Sequence, residues 1–202
     1  MFKSIKSWSL KDVILCSLLG TLFAVICLST VLSLIGPVGP LFAAVGLGHL
    51  AFEFAFGIFL FSAIFAPYIM QKPGVATVVG LLTGFIQVLL ASPFASTVWL
   101  SGLVQGFGVE VGFAIFGYKK WNFISIFTAS TTAMTASFIL AWQRELFADY
   151  TFGMLMTRII IRWASAVLIS AILGKFLADR LAKAGVLKSY PLGEGAYEFT
   201  SE

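Results

Sequence analysis

An all-α integral membrane protein with six transmembrane helices is the fold this sequence predicts, and three observations carry that expectation. Of 202 residues, 59% are hydrophobic and 11% charged, with 21 Phe and a mean hydropathy of +1.00, against about 25% charged in a soluble domain. Apolar runs long enough to cross a bilayer recur along the whole chain, separated by short turns. Lys and Arg are strung between those runs and form no basic face, so the net charge of +4 points to membrane topology rather than to nucleic acid.

The spans follow in order. The first, about 12–35, lies behind Lys3, Lys6 and Lys11. It is longer than a signal-peptide core and no small-x-small cleavage site follows, so it reads as a retained helix. Gly36-Pro37-Val38-Gly39-Pro40 is expected to break it. The second, about 48–68, stops at Gln71-Lys72-Pro73-Gly74, a turn with a basic anchor. The third, about 75–90, ends at Ser92-Pro93, and the fourth covers about 98–118. The fifth runs from about 121 to 142 and the sixth from about 151 to 184, longer than a bilayer needs. Residues 1–187 thus read as one transmembrane domain and 188–202 as a polar, poorly ordered cytoplasmic tail.

Orientation follows from the loops. Three Lys before the first span, Lys72, Lys119 with Lys120, and Lys175, Arg180, Lys183 and Lys188 all fall on one side. The first and third loops carry no Lys or Arg, and the fifth has only Arg144 beside Glu145 and Asp149. Both termini are therefore expected in the cytoplasm.

Polar residues inside apolar spans are expensive to insert and mark function. On this orientation His49 and Glu53, Gln87, Gln105, Arg158 and, nearer the middle, Glu110 and Arg162 gather in the outer half, Glu110 roughly 13 Å from the Lys119 anchor. Trp99, Trp142 and Tyr150 ring the outer boundary. The pattern predicts a polar pocket opening outward beneath a Gly/Pro loop from Gly36 to Gly48. Each residue also has a purely structural reading. The aromatics fit interfacial anchors, His49 a helix cap, and Gln105 an interhelical hydrogen bond. Arg158 and Arg162 could simply neutralise Glu53 and Glu110 at matching depths. Cys16 and Cys27 lie about 16 Å apart along one helix, too far for a disulfide, and read as small buried residues. Cys16, Gly20 and Ala24 have the small-xxx-small spacing of a helix-packing face, whose partner helix belongs to this chain or to another.

Several chemistries are set aside. There is no GxxxxGK[ST] for ATP, one His and two misplaced Cys make no zinc site, and no strained Ser turn accompanies His49. The chain reads as no enzyme and as needing no cofactor. No inverted repeat of a rocking transporter is visible. What remains is a membrane protein that holds a polar solute and needs an energised partner to move it.

The residues then become familiar. Lys72-Pro73-Gly74, Ser92-Pro93, Gly102-Leu103-Val104-Gln105-Gly106 through Glu110, Tyr118 through Trp121, Tyr150-x-x-Gly153 with Arg158, and Gly185-Val186-Leu187 together resemble the S components of energy-coupling factor (ECF) transporters, specifically the YkoE-type thiamine/hydroxymethylpyrimidine family. The resemblance implies six helices, an outer-half site capped by the loop after the first helix, and a first helix packing through Cys16, Gly20 and Ala24 on a separate transmembrane T component coupled to ATPase subunits. It also implies that the loaded protein topples to turn its pocket inward, in the bacterial cytoplasmic membrane. Thiamine would need a carboxylate for its thiazolium, from Glu53 or Glu110, and aromatic faces from Trp99, Trp142 or Tyr150. Gln87 and Gln105 would read the pyrimidine edge. Two alternatives stay open: an S component for another vitamin, and an accessory membrane subunit without a small-molecule ligand.

Overall fold

The computed structural model describes residues 8–145 and 150–198, apart from the side chains of residues 49, 144, 145 and 195–198. His49, Arg144, Glu145 and Asp149 are therefore outside the described side chains. The described residues form helices joined by short turns: α1 Leu10–Ala44, α2 Ala51–Met70, α3 Val75–Leu89, α4 Ala95–Ile115, α5 Phe123–Glu145, α6 Phe152–Lys183 and a terminal α7 Pro191–Glu198. Five of them, α1, α2, α4, α5 and α6, are long and apolar enough to cross a membrane. Helix α3 is apolar but has 15 residues, a rise of about 22 Å against a hydrocarbon core of about 30 Å. Short connections force neighbouring helices to run antiparallel.

Helix α2 is the axis of the bundle. Of its apolar stretch 78% is buried, against 39% for each of the other long helices, because α1, α3, α4, α5 and α6 all pack on it. Its core side chains include Leu60, Ile64, Ile69 and Met70, each 0–1% exposed. The outward faces of the peripheral helices stay apolar, with Leu18, Leu22, Phe107, Ile124 and Ile160 exposed, the pattern of a protein whose solvent is lipid.

The start of α1 is fixed twice. Ser9 and Asp12 form a reciprocal capping box, and Lys72, from the α2–α3 turn, donates to Asp12 Oδ2 at 2.5 Å. That turn needs Gly74, whose φ of +85° lies in the left-handed region.

Three expectations are corrected here. Gly36 to Pro40 does not break the first helix. A π-helical turn at Val31–Ile35 widens the backbone, so that the Gly36 N–H bonds Val31 O one residue beyond the α-helical partner. The wider turn takes up the ring of Pro37 without ending the helix. The loop expected from Gly36 to Gly48 is thus mostly helix, leaving residues 45–47 and a short 3₁₀ turn, Gly48–Leu50. Second, Cys16, Gly20 and Ala24 face inward: Cys16 and Ala24 are 1% and 0% exposed, and a Cβ on Gly20 would stand 3.0 Å from Leu82 Cβ of α3. This small-residue face is filled by the chain's own helices and is not free for another subunit. Third, the tail is structured through α7. Leu187, Tyr190 and Leu192 pack on the core, and the Tyr190 hydroxyl donates to Lys11 O at 3.2 Å. Cys16 and Cys27 are both free and buried.

Candidate functional site: an intramembrane polar cavity

The five long helices and the shorter α3 all contribute to one cavity of about 320 Å³ in the half of the bundle away from Lys72. That volume lies within the range of small-molecule sites, about 300–1,000 Å³. Backbone forms one wall. Gly80 and Gly84 of α3 meet Gly102 of α4 so closely that a Cβ on Gly102 would lie 2.3 Å from Gly80 O. Glycine is required there because no side chain fits between the two helices. Phenylalanines form another wall, with Phe52 edge-on to Phe94 at 5.2 Å between centroids and Phe56 and Phe59 beside them.

The polar heart of the cavity is Glu53 between two arginines. Arg158 Nε donates to Glu53 Oε1, and Arg162 Nε stands 3.4 Å from Glu53 Oε2. Arg158 and Arg162 are one turn apart on α6, which places both guanidiniums on one face of that helix. Arg162 lies over the Phe56 ring at 4.3 Å and donates to the Ser137 hydroxyl at 3.1 Å; Arg158 lies 5.8 Å over Tyr150. A close α2–α6 contact holds the triad in register. Ser165 of α6 accepts from the Gly57 N–H at 2.9 Å and donates to Phe54 O at 2.7 Å. A Cβ on Gly57 would fall 2.2 Å from Ser165 O. Glu53 Oε2 accepts no hydrogen bond among the described residues although it is fully buried.

Two carboxamides complete the lining. Gln87 is 4% exposed and spends one donor on Thr83 O at 3.3 Å. Gln105 is 8% exposed and lines the cavity without a hydrogen bond among the described residues. Both leave donor and acceptor capacity directed at the cavity.

Of the seven residues singled out in the sequence, Glu53, Gln87 and Gln105 line the cavity and four do not. Glu110 is seated elsewhere. It accepts from the Ala76 N–H at 2.8 Å, capping the start of α3, and from the Tyr118 hydroxyl at 2.7 Å. Burial, then the Glu110 carboxylate, push the Tyr118 phenol above its usual pKa. The pairing of Arg162 with Glu110, one of the readings the sequence left open, gives way to the shared hold of both arginines on Glu53. Trp99 packs on Phe85 at 6.1 Å and Trp142 on Phe138 at 6.4 Å, and both are more than a third exposed on the outside of the bundle. Tyr150 does not line the cavity; its ring lies 5.8 Å from the Arg158 guanidinium. The cavity-lining residues not singled out as candidates in the sequence are Arg158, Arg162, Ser137 and the phenylalanines. Two intramembrane arginines one turn apart were a visible signal, whereas the site's phenylalanines were hidden among 21.

Residues 11–138 match the family of the ABC-type cobalt transport system, permease component. The chain is 32% identical over 189 residues to the putative HMP/thiamine permease protein YkoE of Bacillus subtilis (strain 168), covering 94% of this chain and 92% of that one. Its fold is similar to the crystal structure of an S-component of an ECF transporter, with a TM-score of 0.86, 30% identity and 96% of both chains covered. Among the described residues no three His, Cys, Asp or Glu side chains gather where they could hold a metal ion.

Proposed function

From the premise that this chain belongs to the YkoE-type family of ECF-transporter S components, we propose that it captures hydroxymethylpyrimidine or thiamine in the cavity around Glu53 for ATP-driven uptake by partner subunits. An S component is the substrate-binding subunit of a multi-pass membrane importer, and a cavity of its own is what that role requires. One observation carries the reading: Glu53, Gln87 and Gln105 converge with Arg158 on an enclosed space between phenylalanine rings. Hydrogen-bonding side chains at fixed positions read the edge of an aminopyrimidine, and the rings hold its faces. The relative named for HMP/thiamine supports the ligand class. The transmembrane T component and the ATPases come with the family. With Cys16, Gly20 and Ala24 covered, their contact falls on outward faces of the bundle. The proposed orientation puts the Lys72 end in the cytoplasm and the cavity toward the outside, in keeping with the lysine distribution.

The test is a titration of the detergent-purified protein followed by tryptophan fluorescence, with hydroxymethylpyrimidine and thiamine as ligands and biotin and riboflavin as controls. Saturable binding of either pyrimidine compound, and of neither control, is the expected result. Saturable binding of a control alone would move the protein to another vitamin, and binding of none would favour an accessory subunit.

A further inference from the structure

At the Lys72 end of the bundle the charges do not balance, and part of the excess lies beside an apolar groove. Lys11, Lys119, Lys120, Arg180 and Lys183 are exposed there. The carboxylates buried at that end are engaged within the chain. Asp12 accepts from Lys72, Glu110 from Ala76 and Tyr118, and the half-buried Asp179 from Tyr68 at 2.8 Å and from Lys175. Among the described side chains, Glu194 is the one exposed carboxylate. The groove runs between α5 and α6. Three polar contacts fix their antiparallel register: Ser137 with Arg162 at 3.1 Å, Thr131 with Trp163 at 3.2 Å, and Ser130 with Ser170 at 3.4 Å. On the outer face of this pair Trp163 meets Phe127 edge-on at 5.7 Å between centroids, and Phe127 meets Phe123 at 6.3 Å. Phe123 and Trp163 are both more than a third exposed. Phe123 lies as far before Ser130 as Leu177 lies beyond Ser170, so the register sets the start of α5 level with Leu177. The Lys119-Lys120 turn then stands level with Arg180 and Lys183, about one turn further along α6.

We propose that this end of the α5–α6 groove binds one anionic phospholipid, its phosphate held by Lys119, Lys120, Arg180 and Lys183 and an acyl chain laid along Phe123, Phe127 and Trp163. The depth is right for a headgroup. Helix α6 has 32 residues, a length of about 48 Å against a hydrocarbon core of about 30 Å, so it extends into the headgroup layer. Its last stretch, Gly174–Lys183, has the make-up of that boundary. Ala178 and Ala182 are buried, Phe176 and Leu177 are exposed, and the Arg180 guanidinium lies 5.0 Å over the Phe176 ring. Cations clustered at this level attract anionic headgroups, and the attraction fades within a Debye length, so it acts on lipid in contact with the protein. A small anion would satisfy the cations alone. The aromatic groove beside them adds apolar contact that only a ligand with a hydrocarbon chain can use. The site lies at the opposite end of the bundle from the cavity, and it stands whichever solute the cavity takes.

The test uses the full chain, delipidated in detergent and then given phosphatidylglycerol or phosphatidylcholine with matched chains. Native mass spectrometry reads the bound lipid, and brominated acyl chains report contact with tryptophan by quenching its fluorescence. One phosphatidylglycerol per chain is expected, bound at least about tenfold more tightly than phosphatidylcholine. Lys119→Gln with Lys120→Gln, and separately Arg180→Gln with Lys183→Gln, should each weaken phosphatidylglycerol by about tenfold and leave phosphatidylcholine unchanged. Two double variants of exposed residues on different segments keep the test alive if one fails to fold. Lys11→Gln, which removes an exposed cation at the same end but on α1, is the control and should change neither lipid. Brominated phosphatidylglycerol should quench the wild-type protein more than Trp163→Phe. Equal affinity for the two lipids overturns the proposal and leaves the basic patch to an acidic surface of a partner protein. An equal loss in Lys11→Gln overturns it in favour of diffuse charge at this end. A preference that neither folded double variant changes overturns the assignment to these four side chains. Quenching that Trp163→Phe does not reduce, or displacement of the lipid by an equal concentration of inorganic phosphate, overturns the acyl-chain contact.

Discussion

Arg158 and Glu53, 105 positions apart in sequence, form an ion pair in which the two side chains are 6% and 2% exposed. Arg162 faces the second carboxylate oxygen of the same Glu53. One carboxylate thus joins α2 to two successive turns of α6, in the half of the bundle that holds the cavity. An ion pair this buried contributes little net stability while intact, but removing one partner strands the others.

Glu53→Ala is accordingly expected to destabilise the protein by about 3–5 kcal/mol and to abolish ligand binding. Thermal unfolding in detergent and the fluorescence titration check the two effects separately. If Glu53→Ala unfolds like wild type, the triad does not hold α2 to α6.

Glu110→Gln should behave differently. Its carboxylate serves the Ala76 N–H and the Tyr118 hydroxyl, outside the cavity lining. Stability should fall by about 1–3 kcal/mol with ligand affinity within about twofold of wild type. A tenfold loss of affinity at unchanged stability would put Glu110 back in the site.

Gly102→Ala places a methyl 2.3 Å from Gly80 O, where only backbone stands opposite. The two helices must separate, at a cost of about 1–3 kcal/mol, and the cavity wall they form moves with them. Both a lower unfolding temperature and weaker binding are expected. Gly39→Ala, with nothing within 4 Å of its Cβ, should leave binding unchanged and serves as the control.

Asp12→Asn removes the partner of Lys72 and weakens the capping box of α1 at the end of the bundle away from the cavity. A loss of about 1–2 kcal/mol is expected with affinity retained. Because the pair is buried, added salt should restore little of it. A strong salt dependence in wild-type stability would argue against this assignment.

Much of the fold was legible because hydropathy reports which segments enter lipid. Apart from the end of the first, which runs on to Ala44, the five long apolar helices and the shorter one fall within a few residues of the expected spans. What hydropathy cannot report is helix rotation. Glu53, Gln87 and Gln105, which line the cavity, stood out in the sequence because a polar group in a span is unusual wherever it points. Glu110 was misplaced because that same signal does not say whether the group faces a cavity or a neighbouring helix end. Trp99 and Trp142 were misplaced for the same reason, since an indole near the membrane boundary packs equally well outward. The proline pair in α1 misled because a five-residue π turn just upstream changes the local hydrogen-bond register, and no side-chain pattern announces it. The inward turn of Cys16, Gly20 and Ala24 depended on the position of Leu82, a residue of a different helix.

The backbone wall formed by Gly80, Gly84 and Gly102 also limits how this cavity can diversify over generations. A wall made of main chain offers selection no side chain to vary, and every replacement there collides before it can recognise anything. On the proposed function, new ligand preferences would have to be written elsewhere on the lining, at positions such as Gln105 farther along α4, Glu53, Arg162 and Ser137. Those side chains form the variable alphabet of the pocket, and the glycines are the blank page that keeps its shape while they change.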